Sequence, residues 1–140
     1  KKLVEQTTHA GMLTFNATNP FGYGRIVKTN NCFKKIVEEK DCLEEEREIR
    51  EVNSGIYVIQ SKLLLKYIPK ISNLNAAKEY YLTDVFEIIK NNENINVDTL
   101  CLGEDKHYEL KGANTSEELT ELNNFANAQL KYDNNICTVN

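Results

Sequence analysis

The sequence has no long apolar run, no Cys-x-x-Cys pair and no excess of basic residues, and each absence excludes a class of protein. Its longest apolar stretch is only a few residues, which is too short to cross a membrane. The four cysteines lack zinc-binding spacing, and His9 and His107 are the only histidines, so the sequence argues against a Cys/His zinc site. With 17 basic against 21 acidic residues and a net charge of −4, a general nucleic-acid surface is excluded as well.

The start of the sequence also lacks the pattern of a secretory signal. Lys1 and Lys2 are not followed by an apolar segment with a small-residue cleavage site. Scattered cysteines without a disulfide framework favour a reducing compartment, so we expect a cytoplasmic location. The chain begins without Met, and its first residues are typical of the end of a helix that leads into a strand. We interpret this as a fragment of something longer, although 140 residues suit one domain.

Apolar and β-branched runs predict the strands. The run at Gly11–Phe15 is typical of a buried strand, and Ile56–Ile59 and Val97–Leu102 are typical of two more. Arg25–Lys28 and Phe33–Glu38 are short enough, and close enough in sequence, to pair as a hairpin.

Capping residues and periodic apolar positions predict the helices. Asp41–Arg50 begins with a capping residue, Asp41, followed three residues later by Glu44. A short helix over about Ser61–Tyr67 ends before Pro69, and a last helix begins at Thr115 with Glu118 in the reciprocal capping position. Another helix has its apolar face at Leu82, Val85, Phe86 and Ile89. Strands that alternate with helices indicate an α/β sheet protein.

Four segments carry a resemblance to a known family. In chain order they are Asn19-Pro20-Phe21-Gly22-Tyr23-Gly24-Arg25-Ile26-Val27, Ile36-Val37-Glu38-Glu39-Lys40-Asp41, Glu51-Val52-Asn53-Ser54-Gly55-Ile56-Tyr57 and Asn75-Ala76-Ala77-Lys78-Glu79-Tyr80-Tyr81-Leu82-Thr83-Asp84. Together, with matching gaps, they resemble the pyrophosphorylase domain of the bacterial N-acetylglucosamine-1-phosphate uridyltransferases. The resemblance runs from about residue 11 to residue 125. It implies a Rossmann-like nucleotidyltransferase domain with a mixed sheet flanked by helices, of which this chain is the C-terminal half.

The resemblance also implies a reaction and a set of binding residues. Family members join UTP to N-acetylglucosamine 1-phosphate with Mg²⁺, giving UDP-N-acetylglucosamine and pyrophosphate. Gly24 corresponds to a glycine whose backbone approaches the sugar nucleotide, and Glu38 and Asn53 correspond to side chains that hold the amino sugar. Asn114 corresponds to an asparagine that helps to hold Mg²⁺, a hard cation that prefers oxygen ligands. Further residues are expected to line the sugar side of the pocket: Glu79, Tyr81 and Thr83.

The sequence also departs from the family. Ala77 stands where members usually carry Gln, which removes one polar contact. More seriously, the Gly-rich loop that binds the triphosphate, the uracil-binding segment and the Asp that partners Asn114 are not found in these residues. We therefore expect no catalytic residue here and an inactive chain on its own, with residues 1–131 forming the sugar-binding half and 132–140 a polar tail or linker. The expected partners are UTP, the sugar phosphate, the product and the missing N-terminal half, and the oligomeric state stays open.

Simpler structural interpretations remain open for the same residues. Gly24 is also typical of a turn, and Asn53 of an Asx turn before Ser54. Glu38 lies in an acidic run that is usually solvated, and Asn114 is also a residue that merely precedes a helix cap. Two other functions stay open for the chain: a non-catalytic module that binds a sugar nucleotide or a partner subunit, and a nucleotidyltransferase that uses another sugar, such as glucose 1-phosphate.

Overall fold

The computed structural model describes residues 2–7, 9–103, 110, 112–113 and 115–136, with backbone only at residues 6 and 129–136. The chain divides into two compact units, residues 1–107 and residues 108–140. The predicted site residues fall in the first unit, except for Asn114, which lies outside the described residues together with His107. The metal-binding prediction for Asn114 therefore stays a prediction.

The first unit is built from alternating helices and strands. Its helices are α1 (Lys2–Gln6), α2 (Glu44–Arg47), α3 (Ser61–Tyr67) and α4 (Asp84–Glu93). Its strands are β1 (Ala10–Asn16), β2 (Arg25–Thr29), β3 (Cys32–Val37), β4 (Glu51–Ile59) and β5 (Asp98–Leu102). Short 3₁₀ helices cover Glu39–Asp41 and Ile68–Lys70. In the part of the chain that the structure describes, no helix is long and apolar enough to span a membrane.

The strands form one mixed five-stranded sheet in the order β3-β2-β4-β1-β5. Strand β1 pairs antiparallel with β4 on one side and parallel with β5 on the other. Strands β2 and β3 form an antiparallel hairpin, and Arg25 opposite Val52 joins that hairpin to β4. A mixed sheet with flanking helices confirms the predicted α/β fold class.

The hairpin turn follows from the residues that form it. Asn30 and Asn31, between β2 and β3, both have positive φ, of 51° and 61°. A two-residue turn of this kind matches the twist of its strands, and Asn tolerates positive φ better than most residues. The pair of asparagines therefore fixes the connection that the sequence predicts.

One hydrophobic cluster fills the space between the sheet and the helices. Its fully buried members come from α4 and the strands, and Tyr67 at the end of α3 completes it. The side chains of Val85, Phe86 and Ile89 on α4 are all fully buried. Leu82, predicted on the same helix face, lies in the turn before α4 and is 46% exposed, so that part of the prediction is wrong.

Two further predictions differ from the structure. The helix predicted at Asp41–Arg50 is only the single turn Glu44–Arg47. Leu43 and not Asp41 is its capping position, and the Leu43 amide donates to the Glu46 carboxylate (2.9 Å). Arg50 lies beyond the helix, where its carbonyl accepts from the Ala17 amide (2.9 Å) and its guanidinium donates to the Thr18 carbonyl (2.7 Å). The strand at Ile56–Ile59 is longer than predicted, because β4 begins at Glu51 and runs through Ser54-Gly55.

The second unit contains the long helix α5 (Ser116–Ile136). Its predicted capping box is present: the Thr115 hydroxyl oxygen accepts from the Glu118 amide (3.1 Å), and the Glu118 carboxylate accepts from the Thr115 amide (3.3 Å). These two bonds satisfy backbone donors that have no partner within the helix.

Candidate functional site

Four separate segments bring four of the predicted residues together. Gly24 precedes β2, Glu38 follows β3, Asn53 lies in β4 and Thr83 precedes α4. The Thr83 hydroxyl donates to the Glu38 carboxylate at 2.7 Å, and the backbone amide of Asn53 donates to the Gly24 carbonyl at 2.9 Å. We call Gly24, Glu38, Asn53 and Thr83 the carboxylate cluster.

Gly24 and Glu38 are in direct contact. A Cβ atom built on Gly24 would lie 3.2 and 3.3 Å from the two Glu38 carboxylate oxygens and 2.8 Å from Cγ2 of Ile36. A methyl group at this position would force the side chain of Ile36 or Glu38 to shift. Glycine therefore suits the protein's own packing, and its bare main chain lies beside the carboxylate.

Asn53 is held on both sides by its own strand. Its side-chain nitrogen donates to the Tyr57 hydroxyl (2.7 Å), and its side-chain oxygen accepts from the Gly55 amide (3.1 Å). In a regular strand, residues four apart would be separated by about 13 Å. The chain shortens that distance because Gly55 has φ of 80° and the pairing of β4 with β1 shifts register here.

Tyr57 is a member of the site that sequence reasoning missed. Burial raises the pKa of its hydroxyl, the Asn53 bond opposes this, and the negative charge of Glu38 adds to the rise. Its ring packs at 5.0 Å from the Phe86 ring, centroid to centroid, which ties the site to the core. The only signal for Tyr57 in the sequence is the Ser54-Gly55 pair, which permits the irregular strand.

The remaining predicted residues follow one loop that leads to Thr83. The side chain of Glu79 is exposed, and its backbone amide and carbonyl both pair with the Asn75 side chain (3.1 and 2.6 Å). Tyr81 is half-buried, and its pKa is raised by burial and then by the charges of Asp41, Glu79 and Glu38. The structure therefore places Tyr81 within the field of the carboxylate cluster, whereas Glu79 lies at its solvent side.

The electrostatic field on the Asp84 side of the cluster is negative. The pKa of Asp84 is raised by burial and by the charges of Glu87, Glu38 and Asp41. A phosphate group would be repelled by such a field, whereas hydroxyl and amide N–H groups would be attracted to it. The cluster is thus suited to hold the uncharged donors of a ligand rather than its phosphate.

An open depression of about 630 Å³ lies along the same loop. It is lined by Asp41, Asn73, Leu74, Asn75, Ala76 and Lys78. No member of the carboxylate cluster lines this depression. Among the described residues, no group of three His, Cys, Asp or Glu side chains is placed to hold a metal ion.

Comparison with known proteins finds relatives named for one activity. The chain is 44% identical over 107 residues to a protein of Acanthamoeba polyphaga mimivirus named "Probable UDP-N-acetylglucosamine pyrophosphorylase", and 40% identical over 138 residues to the bifunctional protein GlmU of Campylobacter jejuni. The bifunctional protein GlmU of Herminiimonas arsenicoxydans is 42% identical over 127 residues. By sequence, the chain is related to part of the UDP-N-acetylglucosamine pyrophosphorylases.

The chain corresponds to only part of these pyrophosphorylase relatives. The alignments cover 76% and 92% of the chain, but only 42% of the mimivirus protein and 31% of the Campylobacter protein. No protein-family model matches the chain. The activity of the relatives is therefore not assigned to the chain by this similarity alone.

A solved structure supports the fold of this pyrophosphorylase relative. A Bacillus anthracis protein described as a candidate glucose-1-phosphate thymidylyltransferase, in complex with sucrose, superimposes with a TM-score of 0.53 and 19% identity. The match covers 73% of this chain and 38% of that protein. This likeness confirms a nucleotidyltransferase-like fold and nothing finer.

Proposed function

We propose that the chain forms the sugar-binding side of a uridyltransferase site that makes UDP-N-acetylglucosamine and pyrophosphate from UTP and N-acetylglucosamine 1-phosphate. The observation that carries the proposal is the carboxylate cluster, in which Asn53 is hydrogen-bonded to Gly24 and the Glu38 carboxylate lies beside Gly24. The pyrophosphorylase relatives supply the substrate class.

Each residue of the proposed site has a chemical role that suits its surroundings. Glu38 accepts hydrogen bonds from the hydroxyl and N–H groups of the amino sugar, because an ionised carboxylate only accepts. Asn53 donates and accepts at once, which suits a sugar hydroxyl or the N-acetyl group. The main chain of Gly24 lets the sugar lie close, Thr83 fixes one oxygen of Glu38, and Tyr81 and Glu79 line the outer edge of the pocket.

The proposed role is positioning and not neutralisation of charge. Nucleotidyl transfer depends on alignment of the attacking phosphate and on stabilisation of the charge that develops on the leaving pyrophosphate. The negative field at the cluster opposes phosphate binding there. We therefore place the groups that neutralise the triphosphate outside these residues. This agrees with the absence of the family's Gly-rich loop from the sequence given.

Mg²⁺ is the cation that we propose for the complete site, with Asn114 as one ligand through its carbonyl oxygen. When bound, Mg²⁺ would neutralise charge on the phosphates. The described residues provide no cluster of ligands for it. The role of Asn114 rests on the family resemblance alone.

The test is formation of UDP-N-acetylglucosamine from UTP, the sugar phosphate and Mg²⁺. The chain is assayed alone and then with a separately expressed N-terminal half of a relative, such as the Campylobacter protein. We expect no turnover alone and turnover on mixing, lost in Glu38→Gln but kept in Glu48→Gln, a change at an exposed site of the same charge. Turnover by the chain alone would contradict the proposed division of roles.

The same assay separates the two other functions. Absence of turnover after mixing, with the two halves shown to associate, would favour a non-catalytic module that binds a sugar nucleotide or a partner subunit. Equal turnover with glucose 1-phosphate would instead favour a nucleotidyltransferase with a different sugar preference.

A further inference from the structure

Two neighbouring pairs of residues face each other across the β2–β3 hairpin. Gly24 immediately precedes β2 and Arg25 is its first residue, and Glu38 and Glu39 follow the end of β3. Gly24 contacts Glu38 in the carboxylate cluster, while Arg25 and Glu39 form an ion pair of 2.6 Å directly beside it. The sequence resemblance assigns no role to this second pair.

The Glu39 carboxylate joins several parts of the loop that carries Gly24. Its Oε2 atom accepts from the Gly22 amide (3.1 Å) and from Nη2 of Arg25 (2.6 Å). Its Oε1 atom accepts from Nη1 of Arg47 in α2 (2.6 Å). Arg25 in turn donates to the Tyr23 carbonyl. Residues on both sides of Gly24 are thus bound, directly or through Arg25, to the residue that follows Glu38.

Other contacts close this loop on itself or join it to β1 and to β4, where the Asn53 backbone amide donates to the Gly24 carbonyl (2.9 Å). The Asn19 side chain accepts from the Phe21 amide (3.2 Å), and the Pro20 carbonyl accepts from the Tyr23 amide (3.1 Å). The Tyr23 ring packs edge-on against Phe15 at 5.5 Å between centroids. These contacts shape the turn, and the backbone pairing of Arg25 with Val37 joins its last residue to the end of β3. The Glu39 carboxylate adds a second connection, at Gly22.

The ion pair is poorly explained as a source of stability. Arg25 is only 2% exposed, and its Nε atom is buried with no hydrogen-bond partner among the described residues. A buried ion pair often contributes little net stability, and an unsatisfied buried donor makes it costlier. A role in geometry is the better account of this arrangement.

We infer that Glu39 is a positioning residue that holds the Gly22–Arg25 segment against Glu38, so that the Gly24 main chain and the Glu38 carboxylate present one surface to the sugar. The identity of the ligand in this inference rests on the proposed function, whereas the contact between Glu39 and the loop does not. Burial acts to raise the pKa of Glu39, yet the Arg25 and Gly22 hydrogen bonds and the charges of Arg25 and Arg47 hold it below its ordinary value. Glu39 is therefore ionised at neutral pH, as the contact requires.

The test compares the ¹⁵N-labelled chain with its Glu39→Gln, Glu39→Asp and Glu48→Gln variants. Without ligand, the Gly22 amide signal of the unsubstituted chain should titrate with a midpoint below the ordinary range for Glu, and this titration should vanish in Glu39→Gln. The Gly22 and Gly24 amides should exchange with solvent at least about five-fold faster in Glu39→Gln than in Glu48→Gln. Glu39→Asp, which keeps the carboxylate, should restore part of the protection.

With UDP-N-acetylglucosamine added, Glu39→Gln should bind about ten-fold more weakly than Glu48→Gln, since a small misplacement of a contact is costly. Unchanged Gly22 and Gly24 exchange would overturn the inference whatever the ligand does. Faster exchange with unchanged affinity would overturn it too. If exchange changes but the unsubstituted chain binds no ligand, the proposed function fails while the loop-holding role stands. Should Glu39→Gln fail to fold, a Gly22 signal that does not titrate in the unsubstituted chain would still overturn it.

Discussion

The two carboxylate oxygens of Glu38 lie 3.2 and 3.3 Å from the point that a Cβ atom on Gly24 would occupy. The nearest atom to that point is Cγ2 of Ile36, at 2.8 Å, and a β-branched side chain has few rotamers by which to retreat. The absence of a side chain at position 24 therefore allows the Glu38 carboxylate to lie where it does. Glycine here serves the placement of Glu38 as well as the approach of a ligand.

Gly24→Ala should disturb the carboxylate cluster. The added methyl group must displace Ile36 or Glu38, and overpacking of this kind costs about 1–3 kcal/mol. We expect loss of stability by that amount in urea unfolding and at least about ten-fold weaker binding of UDP-N-acetylglucosamine. Gly112→Ala is the matched control, because its added Cβ would meet nothing within 4 Å. Equal effects of the two substitutions would contradict the packing argument.

Thr83→Val should release one oxygen of Glu38 while it preserves the shape of the side chain. Thr83 is buried, and its hydroxyl donates to Glu38 at 2.7 Å. Loss of a hydrogen bond to a charged group costs about 1.5–3 kcal/mol, which thermal or urea unfolding would detect. Thr83→Ser retains the hydroxyl and should recover most of the ligand affinity. A Ser variant that binds as weakly as the Val variant would show that the hydroxyl is not the relevant group.

Glu46 should make stability depend on pH. The Leu43 amide bond lowers its pKa, burial opposes this, and the Lys35 ion pair (3.0 Å) lowers it further. Because the folded pKa is the lower one, its stabilising contribution is complete above the unfolded pKa and is lost as the pH falls through the folded value. Glu46→Gln should be less stable by about 1–2 kcal/mol at neutral pH.

The difference between Glu46→Gln and the unsubstituted chain should shrink as the pH falls below about 5, where unfolded glutamates begin to protonate. Urea unfolding at several pH values measures it. Asp84 has a raised pKa and therefore the opposite effect on stability as the pH changes. It is present in both proteins, so its contribution cancels in the difference between them. A difference that stays constant down to the acid limit would show that Glu46 is not titrating as described.

Phe86→Ala tests the link between the core and the site. Phe86 is fully buried and packs against the rings of Phe33 and Tyr57, at 6.5 and 5.0 Å between centroids. We expect a loss of about 3–5 kcal/mol in the free energy of unfolding. Leu82→Ala, at an exposed position, should change it by no more than about 0.5 kcal/mol. A large loss of unfolding free energy in Leu82→Ala would instead support the predicted helix face that includes Leu82, which the structure contradicts.

The sequence predicted elements whose determinants are local. The β2–β3 hairpin, the end of α3 before Pro69 and the capping box at the start of α5 each depend on residues within a few positions. Predictions failed where a distant contact decided the conformation. The helix over Asp41–Arg50 stops at Arg47 because Arg50 pairs with the chain that follows β1, over 30 residues away in sequence.

The same distinction holds for the site. Family resemblance placed Gly24, Glu38 and Asn53 in one site, and hydrogen bonds or close packing now connect them. It gave no reason to connect Asn53 with Tyr57, since that bond needs the irregular strand at Gly55. Nor did it indicate the Arg25–Glu39 pair, which becomes visible only when the hairpin register is known.

The most direct test of the central claim is a titration of the ¹⁵N-labelled chain with N-acetylglucosamine 1-phosphate and, separately, with glucose 1-phosphate. The account predicts saturable shifts of the Gly24, Glu38 and Asn53 amide signals with the N-acetyl sugar. Those shifts should be weaker with glucose 1-phosphate and absent in Glu38→Gln. Shifts confined to other residues, or no saturable change at the three amides, would contradict the claim that this chain holds the sugar.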